Sequence, residues 1–322
     1  MNPDVVAAIT RLREADVLSS AQAEFFERVA RRDLVSVQLE IRVLLYAGVL
    51  LLTSGVGLLL SEHHRDIGPV AIAVGVGLAA AVCLVWAATR AAPFSWGEAP
   101  SPSVAFDYVL LLGLLLLASD LAYVEVQFAL LGPNWPHHLL VVGAVYLIAA
   151  YRWDSRTVLA LALTTLVAWR GISYGLAHGS IWRADSADLR LNAVALGAVF
   201  LAAAACSVAL ARKPHFEAVF ANTGMLLLLG ALVSGALGHR AAWGLWLVAL
   251  LVAAGLVMWL SFRLRRALYF AQGVVAAYLG LLRLVLAPFR FDLSSVSLLI
   301  AALLGVGAIA VIAAAHRRMG ER

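Results

Sequence analysis

The sequence predicts an all-α fold, a polytopic helical membrane protein with about ten transmembrane helices and an N-terminal cytosolic helical hairpin. Hydrophobic residues make up 63% of the 322-residue chain and charged residues only 13%, whereas soluble domains average about 45–50% and about 25%. The apolar residues form ten stretches that alternate with short polar loops. A soluble core of this size cannot bury so much apolar surface, so lipid is the expected solvent for most of it.

Each apolar stretch approaches the length of about 20 residues that a helix needs to cross the hydrocarbon core. The fourth and fifth stretches are short, and a polar hairpin from Arg152 to Arg156 separates them. The segment 124–136 contains two prolines, so it either lengthens the third helix or lies in the membrane interface. We predict membrane-spanning helices at 43–60, 67–89, 103–123, 136–151, 156–172, 189–210, 217–237, 243–262, 267–287 and 293–315.

The basic residues predict which way the spans face. If the N-terminus is cytoplasmic, 17 of the 24 arginine and lysine residues lie in inside segments and 7 lie in the outer half or outside. Basic side chains resist translocation, so this bias favours the assumed orientation. Both termini are then cytoplasmic, which requires the even number of spans that we predict. Arginines scattered in ones to threes do not form a phosphate-tracking groove, so no nucleic-acid partner is expected.

Residues 1–40 are predicted to form a cytosolic amphipathic hairpin ahead of the transmembrane bundle at 41–322. Its two helices are expected at about 4–15 and 20–34. Ser19 and Gln22 have the spacing of a capping box, in which each side chain accepts a hydrogen bond from the other's backbone N–H. Some 35 residues cannot bury an independent core. The hairpin should therefore pack on the membrane surface, on cytoplasmic loops or on a partner protein.

The run LREADVLSSAQAEFFERVARR, followed by EIRVLLYAGVLLLTSGVGLLLSEHHRDIGP, resembles the start of a bacterial family labelled domain of unknown function 2157. Proteins of that family begin with a short helical hairpin, a glycine-dotted first span and a polar outside loop. The match extends over about residues 5–90. The resemblance implies a multi-pass protein of the bacterial inner membrane, and it supplies neither a reaction nor catalytic residues.

Ionisable side chains within spans are costly, and each is a candidate for a functional role. Asp120 and Glu125 lie in the third span and at its exit, Arg170 lies at the end of the fifth, and Arg283 lies inside the ninth. Pairing of Arg283 with Asp120 or Glu125 would neutralise it at a matching depth. We predict these four residues as a substrate- or ion-binding centre. The alternative is a structural ion pair, or side chains that reach the outer headgroups.

Histidines gather on the predicted outer side, where they are weak candidates for a metal site. Adjacent histidines rarely bind one ion together, and the chain has neither HxxxH nor HExxH spacing. Solvated loop histidines are the alternative, and we expect no metal and no cofactor. The adjacent pairs are His63 with His64 and His137 with His138.

Small and polar residues within spans predict helix contacts. Glycines let helix backbones approach closely, and buried amides or hydroxyls form hydrogen bonds between helices. We expect Asn222, Thr223 and Gln272 to form such bonds. The glycine pairs expected at close approaches are Gly55 with Gly57, Gly75 with Gly77, and Gly305 with Gly307.

The sequence favours a non-enzymatic role. No nucleophile and base converge within a span, and no loop is long enough to hold a separate catalytic domain. The first hypothesis is a binding, scaffold or regulatory module in the bilayer that docks a cytosolic or membrane protein through residues 1–38. The alternative is a secondary transporter of a small solute that uses the intramembrane Asp, Glu and Arg residues named above.

Overall fold

The computed structural model describes residues 3–15, 17–20, 22–23, 26, 43–55, 58, 68–99, 101–177, 187–238, 242–286 and 295–320. Within these ranges every regular element is helical. The chain divides into two compact units, Met1–Asp66 and Ile67–Arg322.

The first unit contains two described helices, α1 at Pro3–Glu14 and α2 at Val43–Gly55. The predicted capping box is confirmed. The backbone N–H of Ser19 donates to Gln22 Oε1 at 3.0 Å, and the N–H of Gln22 donates to Ser19 Oγ at 3.3 Å. Most of the predicted helix at 20–34 lies outside the described residues, so the hairpin itself stays a prediction.

The second unit is a bundle of sequential helices. Seven of its described helical segments, those of α3, α4 and α6 to α10, are long and apolar enough to cross a membrane. This is the architecture of a multi-pass membrane protein. The helices are α3 at Pro69–Arg90, α4 at Val104–Phe128, α5 at His137–Trp153, α6 at Arg156–Ala177, α7 at Ala187–Ala209, α8 at Glu217–Leu237, α9 at Trp243–Leu264, α10 at Ala267–Leu286 and α11 at Ser295–Gly320.

The predicted number of ten spans depends on three further helices. The helix α5 has 17 residues, and the apolar parts of α2 and α11 are 10–17 residues long. The described lengths lie at or below the lower end of the range of about 17–25 residues for a membrane-spanning helix. The total of ten therefore stays a prediction.

Neighbouring helices pack in antiparallel pairs, and α8 also packs against helices outside its own pair. The pairs α3–α4, α5–α6, α7–α8 and α9–α10 pack extensively, while α8 also contacts α6, α9 and α10. The largest described cluster of buried side chains extends over α3 to α8 and includes Tyr269 of α10, and a second cluster joins α8, α9 and α10.

The helices α7 and α8 approach each other closely at Gly197 and Gly224. A Cβ atom added to either glycine would lie 2.9 Å from the carbonyl oxygen of the other. The predicted close approaches at Gly55, Gly75 and Gly307 are wrong, since a Cβ there would meet nothing within 4 Å. Residues two apart on a helix point to different sides, so a GxG pair cannot present both glycines to one neighbour.

Of the polar side chains predicted to form hydrogen bonds between helices, two bond each other and one bonds its own helix. The predicted bond between helices is confirmed for Gln272 on α10, whose Nε2 donates to Asn222 Oδ1 on α8 at 3.2 Å. It is wrong for Thr223, which donates to Val219 O of its own helix at 3.0 Å. A threonine hydroxyl reaches the preceding turn without leaving its helix.

The two uncertain connections are now defined. The helix α4 extends into segment 124–136 and ends there at Phe128, and a short 3-10 turn follows at Gly132–Asn134. The tight hairpin between Arg152 and Arg156 is confirmed, because α5 ends at Trp153 and α6 begins at Arg156.

Candidate functional site: a buried charge cluster at the loop end

Three connections meet at one end of the second unit, which we call the loop end. They are residues 91–103 after α3, residues 154–155 between α5 and α6, and residues 210–216 after α7. Direct contacts join all three. The N–H of Lys213 donates to Trp96 O at 2.7 Å, the N–H of Ala99 donates to the Asp154 carboxylate, and Lys213 Nζ lies 2.9 Å from Asp154 Oδ1.

The local backbone places both charged residues where helices end. Asp154 caps α5 in the left-handed conformation, with φ of 58°, which Asp tolerates better than most residues. Lys213 is also left-handed, with φ of 52°, and Pro214 begins a short 3-10 turn directly after it. A left-handed lysine costs roughly 1–2 kcal/mol, so the contacts of this residue must offset that cost.

Asp154, Lys213 and His215 form a buried charge cluster. Their side chains expose 5%, 1% and 6% of their surface. The Asp154 carboxylate accepts hydrogen bonds from Ala99 N–H and His215 Nε2 and pairs with the Lys213 ammonium. Buried charges are stable only when they are paired and hydrogen-bonded. The cluster therefore stabilises the loop end only as a complete set.

The protonation of Asp154 follows from these contacts. Burial raises the pKa of Asp154, but hydrogen bonds from Ala99, Lys213 and His215 outweigh it and hold the pKa below its ordinary value. Asp154 is therefore ionised at neutral pH. The Lys213 ammonium also lies 5.4 Å from the centre of the Phe94 ring, a distance at which the ring face attracts a cation.

Arginines surround this cluster at the surface. Arg212 lies 4.8 Å above the Trp96 ring, Arg156 forms an exposed ion pair with Glu98 at 2.7 Å, and Arg152 Nη1 donates to Ala92 O at 3.3 Å. The loop end thus has a paired, buried centre and a basic rim.

Part of the donor capacity of the cluster is unused in the described part of the chain. Apart from its ion pair, the Lys213 ammonium has no hydrogen-bond partner, and neither His215 Nδ1 nor Trp153 Nε1 has one. A cavity of about 10 Å³ borders Lys213, Asp154 and Trp153. That is about the space that one ordered water molecule needs. His215 is held by Asp154 through its Nε2 atom, so the arrangement suits a structural role at the loop end.

The four predicted site residues lie in different local settings. Arg170 on α6 donates to Asn192 Oδ1 on α7, and Glu125 accepts a hydrogen bond from Leu131 N–H in the following loop at 3.0 Å. Asp120 faces α3, with Oδ2 3.1 Å from the position of a Cβ on Gly77.

Arg283 is the fourth of these residues. It is 8% exposed, and its guanidinium lies 5.2 Å from the Trp243 ring of α9. The helix α4, which carries Asp120 and Glu125, packs mainly against α3, while α10, which carries Arg283, packs against α9, α11 and α8. Pairing of Arg283 with Asp120 or Glu125 stays a prediction.

Sequence reasoning overlooked one buried arginine. Arg190 on α7 is 5% exposed, donates from Nε to Ser234 Oγ of α8 at 3.3 Å and lies 6.0 Å from the Trp246 ring. Arg190 and Arg283 thus both pack on tryptophans in the first turn of α9. A single arginine at the polar start of a span gives little signal, because an exposed residue has the same pattern.

The described histidine pair closes a turn. His137 Nδ1 lies 3.0 Å from Asn134 O, and His138 Nδ1 lies 2.6 Å from Trp135 O. In the described ranges no three His, Cys, Asp or Glu residues are grouped to hold a metal. His63 and His64 lie outside the described residues.

Comparisons with known proteins provide no functional guide. No protein-family model, no curated protein and no solved structure matches the chain. The resemblance of residues 5–90 to the family of unknown function therefore stays a prediction.

Proposed function

We propose that this chain is a multi-pass protein of the bacterial inner membrane that acts as a binding, scaffold or regulatory module. One observation carries the proposal: the buried set of Asp154, Lys213 and His215 ties three loops into one face. Loops that are ordered before binding lose less conformational entropy when a partner binds. A fixed loop face therefore suits recognition of a partner.

The arginine distribution supports a cytoplasmic position for this face. The loop end carries Arg152, Arg156 and Arg212, and basic loops stay on the cytoplasmic side of bacterial membranes. The same rule favours a cytoplasmic position for both termini. Residues 1–38 are the proposed docking element for a cytosolic or membrane protein, since a short amphipathic segment needs another surface to bury its apolar face.

The proposal is tested by partner recovery from cells. The full chain, a form that lacks residues 1–38 and the variant Asp154→Asn are expressed with the same tag and crosslinked before purification. Recovery is normalised to the amount of chain inserted in the membrane, and both changes should reduce the proteins recovered per inserted chain. Gly255→Ala on α9, where the added Cβ meets open space, is the control outside the loop face. Equal recovery from all four forms would reject the scaffold role.

A second candidate function, transport of a small solute, is favoured by a different observation. Arg190 and Arg283 are almost completely buried beside α9, and buried ionisable residues in spans often mark solute paths. Proteoliposomes are screened for uptake with the full chain and with Arg283→Gln and Asp120→Asn. Uptake that both substitutions abolish would favour transport over scaffolding. Uptake that neither changes would rule out this centre.

A further inference from the structure

A cavity of about 650 Å³ lies between the α5–α6 pair and the α7–α8 pair. Its floor is apolar and buried, with Leu163 1% exposed and Phe200 and Phe220 each 5% exposed. Ile148 and Val199 also line it and are 70% and 60% exposed, so the cavity opens on the surface that faces lipid. Its volume falls within the range of about 300–1,000 Å³ that is typical of small-ligand sites.

The cavity extends over the depth of one membrane leaflet. The helix α6 begins at Arg156, and the lining residue Leu166 follows ten positions later, about 15 Å along the axis. On α7, the lining residue Val199 precedes the last residue, Ala209, by the same number of positions. A bilayer core is about 30 Å thick. The cavity therefore reaches from the loop end to about the middle of the membrane, which is the space of one acyl chain.

A cationic residue lies at the polar end of this cavity. Arg152 lines it together with Tyr151 and Phe94, and Arg152 is exposed. The one hydrogen bond of its side chain within the described ranges goes to Ala92 O, although a guanidinium has five N–H donors. The nearby carboxylate of Asp154 is already occupied by Lys213 and His215. Arg152 is thus a cation without a carboxylate partner in the described part of the chain.

We propose that this cavity binds an anionic phospholipid of the leaflet at the loop end. One acyl chain lies against Leu163 and Phe200, and the headgroup phosphate binds the Arg152 guanidinium. Arginine matches phosphate geometry with two parallel hydrogen bonds, and basic pockets between spans on the cytoplasmic side select anionic lipids. This lipid site does not use Asp154, Lys213 or His215 of the buried charge cluster, and it does not depend on a protein partner.

Headgroup selection is tested by native mass spectrometry of the full chain in detergent. Dioleoyl phosphatidylglycerol and dioleoyl phosphatidylcholine are added in equal amounts, and bound copies of each are counted. Phosphatidylglycerol should be preferred, and Arg152→Gln should lower the preference about fivefold, the factor expected for one basic residue near an anionic lipid. Arg263→Gln removes an arginine that stacks on Trp259 at the end of α9 and should leave the preference unchanged. Equal binding of both lipids, or an unchanged preference in Arg152→Gln, overturns the proposal.

Chain binding is tested at the mouth of the cavity. Ile148→Trp fills the opening at an exposed position, so the variant should fold and yet bind fewer copies of both lipids. A photoreactive benzoyl-phenylalanine at position 148 should crosslink to phospholipid in membranes of the same composition. Undiminished lipid binding by Ile148→Trp overturns the proposal. A crosslinked second copy of the chain as the main product also overturns it, because the groove is then an interface between copies.

Discussion

Lys213 and Asp154 form an ion pair whose nitrogen and oxygen lie 2.9 Å apart and whose side chains expose only 1% and 5% of their surface. Both are in loops that belong to different helix pairs, and both have left-handed backbones. Removing one member of a buried pair leaves the other charge without compensation in a poorly solvated place. The arrangement of the loop end therefore depends on this contact more than on the exposed ion pairs around it.

Substitution of Asp154 should strongly destabilise the folded protein. In Asp154→Asn the Lys213 charge loses its counter-ion, and breaking a buried pair typically costs about 3–5 kcal/mol. Thermal unfolding of the purified chain in detergent measures the loss as a lower Tm. Glu98→Gln breaks a pair whose side chains are 63% and 54% exposed, and such pairs contribute about 0–1 kcal/mol. Similar losses in the two variants would contradict the structural role of the cluster.

Acid should remove the contribution of Asp154. The hydrogen bonds that Asp154 accepts hold its pKa below the ordinary value, so its contribution is complete above the unfolded pKa of about 3.9 and is lost as the pH falls through the folded pKa. Unfolding of the wild type and of Asp154→Asn is followed from about pH 6 to about pH 3. The difference in Tm between them should shrink toward acid pH. A constant difference would show that Asp154 is not the titrating group.

A methyl group at the α7–α8 contact should be poorly tolerated. In Gly197→Ala the new Cβ lies 2.9 Å from the carbonyl oxygen of Gly224, and such overpacking costs about 1–3 kcal/mol. Gly255 on α9 has open space around the same position, so Gly255→Ala should be neutral or slightly stabilising. The comparison is made by thermal unfolding of both variants. A lower Tm in Gly255→Ala than in Gly197→Ala would contradict the described packing.

The hydrogen bond between the side-chain amides of Asn222 on α8 and Gln272 on α10 should contribute a small but measurable coupling energy. A double-mutant cycle with Asn222→Leu and Gln272→Leu isolates its coupling energy. Hydrogen bonds within membranes average about 0.6 kcal/mol and reach about 1.7 kcal/mol. A coupling energy of zero would show that the two side chains do not interact. Thr223→Val is the control, since its hydroxyl bonds only its own helix.

The proposed orientation predicts opposite labelling of two exposed loop residues. With Cys83 and Cys206 replaced by alanine, single cysteines are introduced as Ser101→Cys or Asn134→Cys. An impermeant maleimide applied to intact spheroplasts should label position 134 and not position 101. Disrupted membranes should expose both positions. The reverse pattern would place the loop end on the outer side and reject the cytoplasmic assignment.

Local features could be read from the sequence, and contacts between distant segments could not. The hairpin from Arg152 to Arg156 followed from a sharp change in polarity, and the capping box of Ser19 and Gln22 followed from a fixed spacing. Both depend only on near neighbours. The contact between Gly197 and Gly224 depends on which helices are adjacent, and spacing between glycines along one helix does not contain that information.

The candidate site was missed for the same reason, although the sequence held one hint. Lys213 is the single lysine in a chain with 23 arginines, and a compact ammonium fits a small, buried position that a planar guanidinium does not. Its partner Asp154 lies in another loop, and no pattern near Lys213 identifies it. The predicted centre at Asp120, Glu125, Arg170 and Arg283 followed from a general rule on charges in spans. That rule cannot distinguish a solute site from a buried arginine that packs on tryptophan, as Arg283 does.

Complete burial of Lys213 also determines how the chain reacts with reagents. Since this is its one lysine, reagents that acylate primary amines find no accessible side chain at the loop end of the folded protein. Acylation of Lys213 then requires the loops to separate. The rate of this acylation, followed as a mass shift of the peptide that contains Lys213, therefore measures local opening of the loop end.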